Sequence, residues 1–448
     1  MSRSPEATRL PRERVLACGV LLAGQPIEQD GPLSEAMGLA RAAGADVVGD
    51  REPPLVQRRE RPDASTFLGS GKVQEIRASV ERWVPDAVLV DNDLSPGQLR
   101  NLEKAWGKRV IDRSELILDI FARRARTAQA KLQVELAQME YLRPRLRRMW
   151  THLERLEGAI GTRGPGETQL ETDRRLIAKR IHDLRIRLSG IEERNRRQVR
   201  TREELFTIGL AGYTNAGKST LLNRLTGADE FVADMPFATL DTRTRQWRLR
   251  DGRKVLVSDT VGFLQRLPHH LVASFHATLE EALHVDLLLH VVDGSHPDAA
   301  VQMRAVEETL AGLTRREADV VVLNKFDRVS DPISLHLLRE GRKQPFFHLS
   351  ALTGEGIERL EAFVEARLDA RSTVVEAVLP LSDGRTAAVL RSSGVVLLER
   401  VEGENRLVLR LRLPDGAVGS LQRSLPPQVA WRIVQPAKEP FQREGLPA

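Results

Sequence analysis

The chain has 448 residues, 41% hydrophobic and 29% charged, which excludes a wholly disordered protein and leaves room for about three domains. Its single cysteine, Cys18, excludes an internal disulfide and a cysteine metal cluster, so a reducing compartment is expected and Cys18 reads as a small buried side chain. Net charge is only +6, yet residues 121–200 hold 20 basic and 10 acidic side chains, a local +10 that leaves the rest at −4. On charge alone that segment fits either a polyanion such as RNA or a solvated pair of helices.

From residue 14 to 113 short apolar runs alternate with helical patterns. Residues 15–22 predict a strand, 32–43 a helix, 46–48 a short strand, 72–83 a helix and 87–90 a strand. Ser95 as N-cap with Pro96 behind it opens a helix to Trp106, before a strand at 109–111. Residues 1–113 therefore form a small α/β domain with a parallel or mixed sheet. The turn Gly69-Ser70-Gly71-Lys72 reads as a structural turn or as a place for an anion, since its spacing does not complete a phosphate loop.

Residues 114–203 change character. Leu132, Leu136, Met139, Leu142, Leu146, Met149, Leu153 and Leu156 recur at spacings of three and four, as do Ile177, Ile181, Leu184, Leu188 and Ile191. Two long amphipathic helices packed as an antiparallel hairpin follow, with arginines outside and the first run kinked or interrupted at Pro144. Between them Gly158, Gly161, Gly164 and Gly166 predict a tip, either a tight turn or a mobile loop that approaches a ligand backbone.

Residues 204–370 carry the chemistry. An apolar strand at 205–210 runs into Gly212, then Gly217, Lys218 and Ser219, then a helix, which is a GxxxxGK[ST] phosphate loop in its strand–loop–helix setting. Backbone amides around Asn215, Ala216, Gly217 and Thr220 would cradle phosphates, Lys218 would reach the β/γ oxygens and the Ser219 hydroxyl would take Mg²⁺. A second strand at 254–258 ends at Asp259, whose carboxylate is a Mg²⁺ candidate, with the Gly262 amide placed to sense a γ-phosphate. In the intervening segment Thr239 is the first choice for a hydroxyl closing over Mg²⁺, and Thr242 the second. A third apolar strand at 320–323 leads into Asn324, Lys325 and Asp327. A carboxylate at Asp327 accepts two hydrogen bonds from guanine, which adenine cannot supply, so GTP is favoured over ATP. Lys325 would lie along the base, Asn324 would tie its loop to the phosphate loop, and an amide of Ser350, Ala351 or Leu352 would meet the guanine carbonyl. Phe263 stands after Gly262 where many regulatory GTPases have a water-orienting glutamine, so slow intrinsic turnover is expected, with Gln265, a first-switch threonine or a partner assisting.

Residues 371–448 contain β-rich runs at 373–379, 394–399 and 406–413 and read as a small α+β or β-rich domain without a chemical role. The fold class is thus α/β and multidomain, with a P-loop GTPase Rossmann-like domain third from the start. No stretch reaches the roughly 18 to 20 apolar residues of a membrane span, the longest candidate being broken by His290 and Asp293, so a cytoplasmic protein is expected.

The runs TFLGSGK at 66–72, DRSELILDIFARRARTAQAKLQVELAQMEYLRPRL at 112–146, GPGETQLETDRR at 164–175 and DTVGFLQRLPHHLVASFHATLEEA at 259–282 together resemble the HflX family of ribosome-associated GTPases, over nearly the whole chain. That resemblance implies GTP/GDP and Mg²⁺ as cofactors and the large ribosomal subunit and intact 70S ribosome as partners of a monomer that splits or rescues stalled ribosomes under stress. It implies that the tip at 158–172, including Gly164 and Gly166, approaches the peptidyl-transferase region. Arg143, Arg147, Arg148, Arg163, Arg174 and Arg175 would then contact rRNA. The first switch reads FATLDT where the family commonly has FATLDP, which loosens the backbone after Asp241. A GTPase of large-subunit assembly or RNA modification and a nucleotide-regulated RNA-binding module are the rival readings.

Overall fold

A computed structural model describes residues 12–24, 31–146, 165–200, 205–228, 243–260, 262–264, 283–314, 316–329, 335 and 338–436. The N-terminal part is a sheet of five parallel strands: β1 (Arg14–Leu22), β2 (Asp46–Val48), β3 (Leu55–Arg59), β4 (Ala87–Val90) and β5 (Arg109–Asp112). Their order is β2-β1-β4-β5, and β3 continues the β2 edge along the second half of β1. The period of two in β1 divides its burial. Leu16, Cys18 and Val20 face α2 (Ser70–Trp83) and α3 (Pro96–Trp106), whereas Val15 and Ala17 face α1 (Ser34–Ala42) and α4 (Arg113–Arg124). Cys18 is fully buried, and desolvation pushes its thiol up, so it is packing rather than chemistry.

Local signals account for several boundaries. Ser95 and Gln98 form a reciprocal capping box ahead of α3, and Gly107 ends that helix in the left-handed region at φ 67°. The turn before α2 is filled from within the protein: the Gly69 amide donates to Gln57 Oε1 at 2.8 Å and Lys72 pairs with Glu75 at 2.7 Å. That is the arrangement of a structural turn.

The hairpin consists of α5 (Ala128–Leu142), a 3₁₀ turn at Arg143–Arg145 and α6 (Pro165–Arg200). Leu136 meets Ile181, Leu184 and Leu188 in a buried seam flanked by Leu132, Met139 and Ile177, which is the expected heptad contact. Pro144 interrupts the first apolar run as expected: α5 stops at Leu142 and a 3₁₀ turn follows, since proline removes an amide donor. One reading needs correction. The expected tip at 158–172 is helical from Pro165 onward, because proline is preorganised for a first turn, so Gly166 lies in a helix and not in a loop. Gly164 and Arg163 lie outside the described residues.

The central sheet has the order β11-β10-β9-β6-β8-β7, from β6 (Thr207–Gly212), β7 (Arg243–Arg248), β8 (Lys254–Asp259), β9 (Leu287–Asp293), β10 (Val320–Asn324) and β11 (Phe346–His348). All neighbours are parallel except β7 on β8. One face packs on α7 (Lys218–Thr226) and α9 (Ile357–Ala370), and the other on α8 (Ala299–Thr314) and the N-terminal domain. Tyr213, Phe263 and Leu264 share one core with Leu33, Leu39, Ile117 and Ile120, so the two domains are joined by apolar packing.

The C-terminal part runs β12 (Ser372–Pro380), α10 (Gly384–Ser393), β13 (Val395–Glu402), β14 (Arg406–Pro414), α11 (Asp415–Ser424) and β15 (Ala430–Gln435). This is an antiparallel βαββαβ sheet of order β13-β14-β12-β15 with a leucine-rich core on one face, which makes it α+β. No helix among the described residues is long and apolar enough to cross a membrane.

His290 interrupts the apolar β9 strand between Ala211 and Val321, 1% exposed, and neither ring nitrogen has a hydrogen-bond partner among the described residues. Burial pushes its pKa from 6.5 down to about 3, with Arg342 and Lys218 adding to the shift. The folded state therefore keeps a neutral ring while the unfolded chain takes up a proton below pH 6.5. Stability from this site is complete above that pH and is lost as pH falls toward 3, by about 2 kcal/mol at pH 5. Asp112, raised to about 6 mainly by desolvation, has the opposite sign and cancels when variants are compared. The urea midpoint of the wild type should thus fall more between pH 7 and pH 5 than that of His290→Leu; equal falls would refute the assignment.

Candidate functional site

The parallel strands β6, β8 and β10 end along one edge of the sheet, where an open α/β fold places ligands. Gly212 closes β6 against its neighbour, because a side chain there would strike the Val291 carbonyl oxygen. The loop then turns through left-handed Asn215 (φ 64°) and Gly217 (φ 88°) into α7. Gly217 offers no side chain to cap this helix, so its first amides are open to an anion. The buried Lys218 ammonium donates to the carbonyls of Gly212 at 3.0 Å and Tyr213 at 2.8 Å, which fixes it over the loop. Desolvation lowers its pKa to about 8, partly offset by Asp259.

Ser219 Oγ donates to Asp259 Oδ2 at 2.6 Å, which brings the two described Mg²⁺ candidates together. A hydroxyl and a carboxylate are hard oxygen donors, and two of them leave the remaining positions to phosphate and water, as Mg²⁺ requires. Thr239 and Thr242 lie outside the described residues. Asp259 is fully buried, and the neighbouring Thr260 hydroxyl donates to the Leu210 carbonyl at 2.8 Å, which pins the end of β8 to β6.

Gly262 is in close contact with the phosphate loop. A methyl group built there would stand 2.8 Å from Thr214 Cγ2, 2.9 Å from Thr214 Cα and 3.2 Å from Lys218 Nζ. The Phe263 amide donates to the Gly212 carbonyl at 3.1 Å, and the Thr214 amide to the Phe263 carbonyl at 2.8 Å. Phe263 is itself 1% exposed, its ring held in the core shared with the N-terminal domain.

Asn324 ties three loops. Its Nδ2 donates to the Ala216 carbonyl and its Oδ1 accepts from the Ala351 amide, both at 2.9 Å, so the expected link to the phosphate loop is present. Arg224 of α7 donates to the carbonyls of Ala351 and Leu352. Lys325 adopts the left-handed region at φ 59° and pairs with Asp293 at 2.7 Å, with Asp327 in the following 3₁₀ turn. Ser350 is buried and accepts from the Thr353 amide at 3.1 Å, while the Leu352 side chain is 64% exposed beside it.

Residues 30–122 match the family described as GTP-binding GTPase N-terminal, 124–202 the GTP-binding GTPase Middle Region, and 207–325 the 50S ribosome-binding GTPase. The GTPase HflX of Caldanaerobacter subterraneus subsp. tengcongensis is 42% identical over 393 residues, 87% of this chain and 89% of that protein. The chain belongs to the HflX GTPase family. The GTPase HflX of Escherichia coli (strain K12) is likewise 42% identical, over 85% of this chain and 89% of its own. Among solved structures, a GTP-binding protein from the hyperthermophilic archaeon Sulfolobus solfataricus in complex with GDP is similar over 78% of this chain and 97% of its own, at 23% identity and a TM-score of 0.40.

As a member of the HflX family this chain is a GTPase, hydrolysing GTP to GDP and phosphate with Mg²⁺ as cofactor. The described motif residues of the phosphate, Mg²⁺ and base loops converge at one sheet edge. Of the residues named as rRNA contacts, Arg143, Arg174 and Arg175 are exposed on the hairpin, and Arg147 and Arg148 lie outside the described residues. Sequence reasoning did not find Asp293, Arg224 or the contact of Tyr213 with the N-terminal domain. Asp293 ends an apolar strand as Asp259 does, and that was a usable signal. Arg224, in the last turn of α7, and Glu35, in the first turn of α1 where Tyr213 makes its contact, carry no such signal.

Proposed function

We propose that this GTPase binds the large ribosomal subunit and splits or rescues stalled 70S ribosomes under stress, acting as a cytoplasmic monomer that associates with ribosomes only peripherally. The observation that carries the reading is the basic hairpin: Arg143 and Arg174 line an open depression of about 700 Å³ between α5 and α6, in the segment with a net charge of +10. Backbone phosphates of rRNA complement such a surface, and affinity for them weakens steeply with salt. Arg147, Arg148 and Arg163 belong to the same proposed contact set.

At the nucleotide site, Lys218 and the amides from Asn215 to Thr220 hold the phosphates, Ser219, Asp259 and Thr239 hold Mg²⁺, and Gly262 senses the γ-phosphate. Mg²⁺ held by these residues would supply neutralisation of phosphate charge. Asp327 reads the guanine edge, Lys325 lies along the base, and the loop Ser350, Ala351 and Leu352 faces the base carbonyl. With the Phe263 ring packed into the core, that side chain has no means of orienting water. Intrinsic turnover is therefore weak, and a ribosomal partner organises the site. Binding energy of the GTP state, rather than the chemical step, separates the subunits, and hydrolysis releases the factor.

The test is GTP turnover alone and with large subunits, small subunits, 70S ribosomes and naked RNA at matched salt. Large subunits and 70S ribosomes should stimulate strongly, and Arg143→Glu with Arg174→Glu and Arg175→Glu should abolish stimulation while leaving turnover in their absence. A nonhydrolysable GTP analogue should support splitting. Absence of stimulation by mature particles, with stimulation by precursor subunits, would favour an assembly role instead.

A further inference from the structure

Tyr213, the first residue inside the phosphate loop, reaches out of the nucleotide domain. Its hydroxyl donates to Glu35 Oε2 of α1 at 2.7 Å, while its backbone carbonyl accepts from Lys218 Nζ at 2.8 Å. One residue thus touches the N-terminal domain at one end and the phosphate-binding ammonium at the other. Glu35 is fixed in turn: Arg113, 2% exposed, pairs with Glu35 and with Asp91 at the end of β4, both at 2.5 Å. Burial works against the charged guanidinium, but the two carboxylates outweigh it and raise its pKa. The chain Asp91–Arg113–Glu35–Tyr213 is anchored at the carboxyl edge of the N-terminal sheet and ends on the loop that holds Lys218. On its other side Tyr213 bridges to Phe263, next to Gly262.

We infer that Glu35 is a positioning residue of the nucleotide site, acting through the Tyr213 hydroxyl on the phosphate loop and Lys218. A hydrogen bond to a carboxylate in a poorly solvated interface is directional, so it fixes where the Tyr213 carbonyl points, and that carbonyl aims the ammonium. The apolar core around Tyr213 would hold the domains together without this bond; what the bond adds is the setting of the loop. Linkage makes the effect reciprocal, so a ligand on the phosphate loop tightens the seating of α1. The inference rests on the nucleotide site alone and is independent of the ribosomal reading.

The decisive variant is Tyr213→Phe in the full chain, which removes one oxygen and leaves the Glu35–Arg113 pair and the aromatic packing in place. The dissociation constant for a nonhydrolysable GTP analogue should rise about fivefold, less than the full worth of a charge-assisted hydrogen bond, the remainder showing as a small fall in Tm because the bond is already made without ligand. Glu35→Gln should weaken binding similarly, and the double variant should be no weaker than the worse single one. Hydrogen exchange across Ser34–Ala42 should slow on adding the analogue to the wild type and respond less in Tyr213→Phe. A lowered Tm with unchanged affinity would overturn the inference, because the contact would then only join domains. Additive losses in the double variant would also overturn it, since Glu35 would not act through Tyr213. If Glu35→Gln fails to fold, the affinity and exchange data of Tyr213→Phe decide alone. Binding by the wild type in the same titration separates failure of this relay from failure of the site.

Discussion

Replacing Asp327 by Asn should lower affinity for GTP by about a hundredfold and improve that for xanthosine triphosphate. Guanine presents two donors, N1–H and the 2-amino group, and the carboxylate accepts both in a charge-assisted pair. An asparagine keeps one acceptor and turns an N–H toward the 2-amino group, donor against donor. Losing one bond and leaving a desolvated group unmatched costs about 2–4 kcal/mol, which is the size of the expected loss. Xanthine carries a carbonyl where guanine has the amine, so the same N–H finds an acceptor. The fold should tolerate the change, since Asp327 lies in a surface 3₁₀ turn with 22% of its side chain exposed. Competition of both nucleotides against labelled GDP checks the result, and unchanged GTP affinity would show that Asp327 does not read the base.

How much of this was legible from residues depends on the range over which each signal acts. Strand β4, AVLV, is buried at every position and announces itself as a central strand. The helix after Ser95 is announced by its capping pair. Strand β3, LVQRR, was not visible: it follows Pro53 and Pro54, has two arginines in five residues, and exists because β1 has an edge left over beyond β2. Helices α10 and α11 contain glycines and serines with poor intrinsic propensity, and they are held by packing Leu390 and Leu421 onto the C-terminal sheet. The glycines before α6 misled in the other direction, since Pro165 starts a helix in spite of Gly166.

The site shows the same division. The convergence of Gly217, Asp259 and Asn324 follows from motifs at the ends of parallel strands, and the Asn324 tether to Ala216 needs only that geometry. The bond from Tyr213 to Glu35 joins residues 178 positions apart in different domains, and no local pattern marks Glu35 among the charges of an amphipathic helix. Phe263 illustrates how packing changes the meaning of a residue. Read as a defect in water positioning, it is in the fold a buried anchor between Gly262 and the N-terminal core.

That anchoring makes Gly262→Ala the most informative single change after Asp327→Asn. Phe263 is bonded on both sides to the phosphate loop, through its amide to Gly212 and its carbonyl to Thr214, so the backbone at 262 has little freedom to retreat. The added methyl would lie 2.9 Å from Thr214 Cα, a backbone atom, and 3.2 Å from the Lys218 ammonium. One of the two segments must shift, and on the proposed reading either shift would separate the Gly262 amide from a γ-phosphate held by Lys218. A misplaced donor of this kind costs about a hundredfold or more in turnover. GDP has no γ-phosphate and does not need that amide, so its affinity should change only a few fold. The expected pattern is therefore near-normal GDP binding, GTP turnover reduced by about two orders of magnitude, and loss of any response that GTP elicits beyond GDP. Measuring GDP affinity and single-turnover GTP hydrolysis on the same preparation tests it. Equal losses of GDP and GTP binding would place the damage in the phosphate loop itself and remove Gly262 from the sensing role.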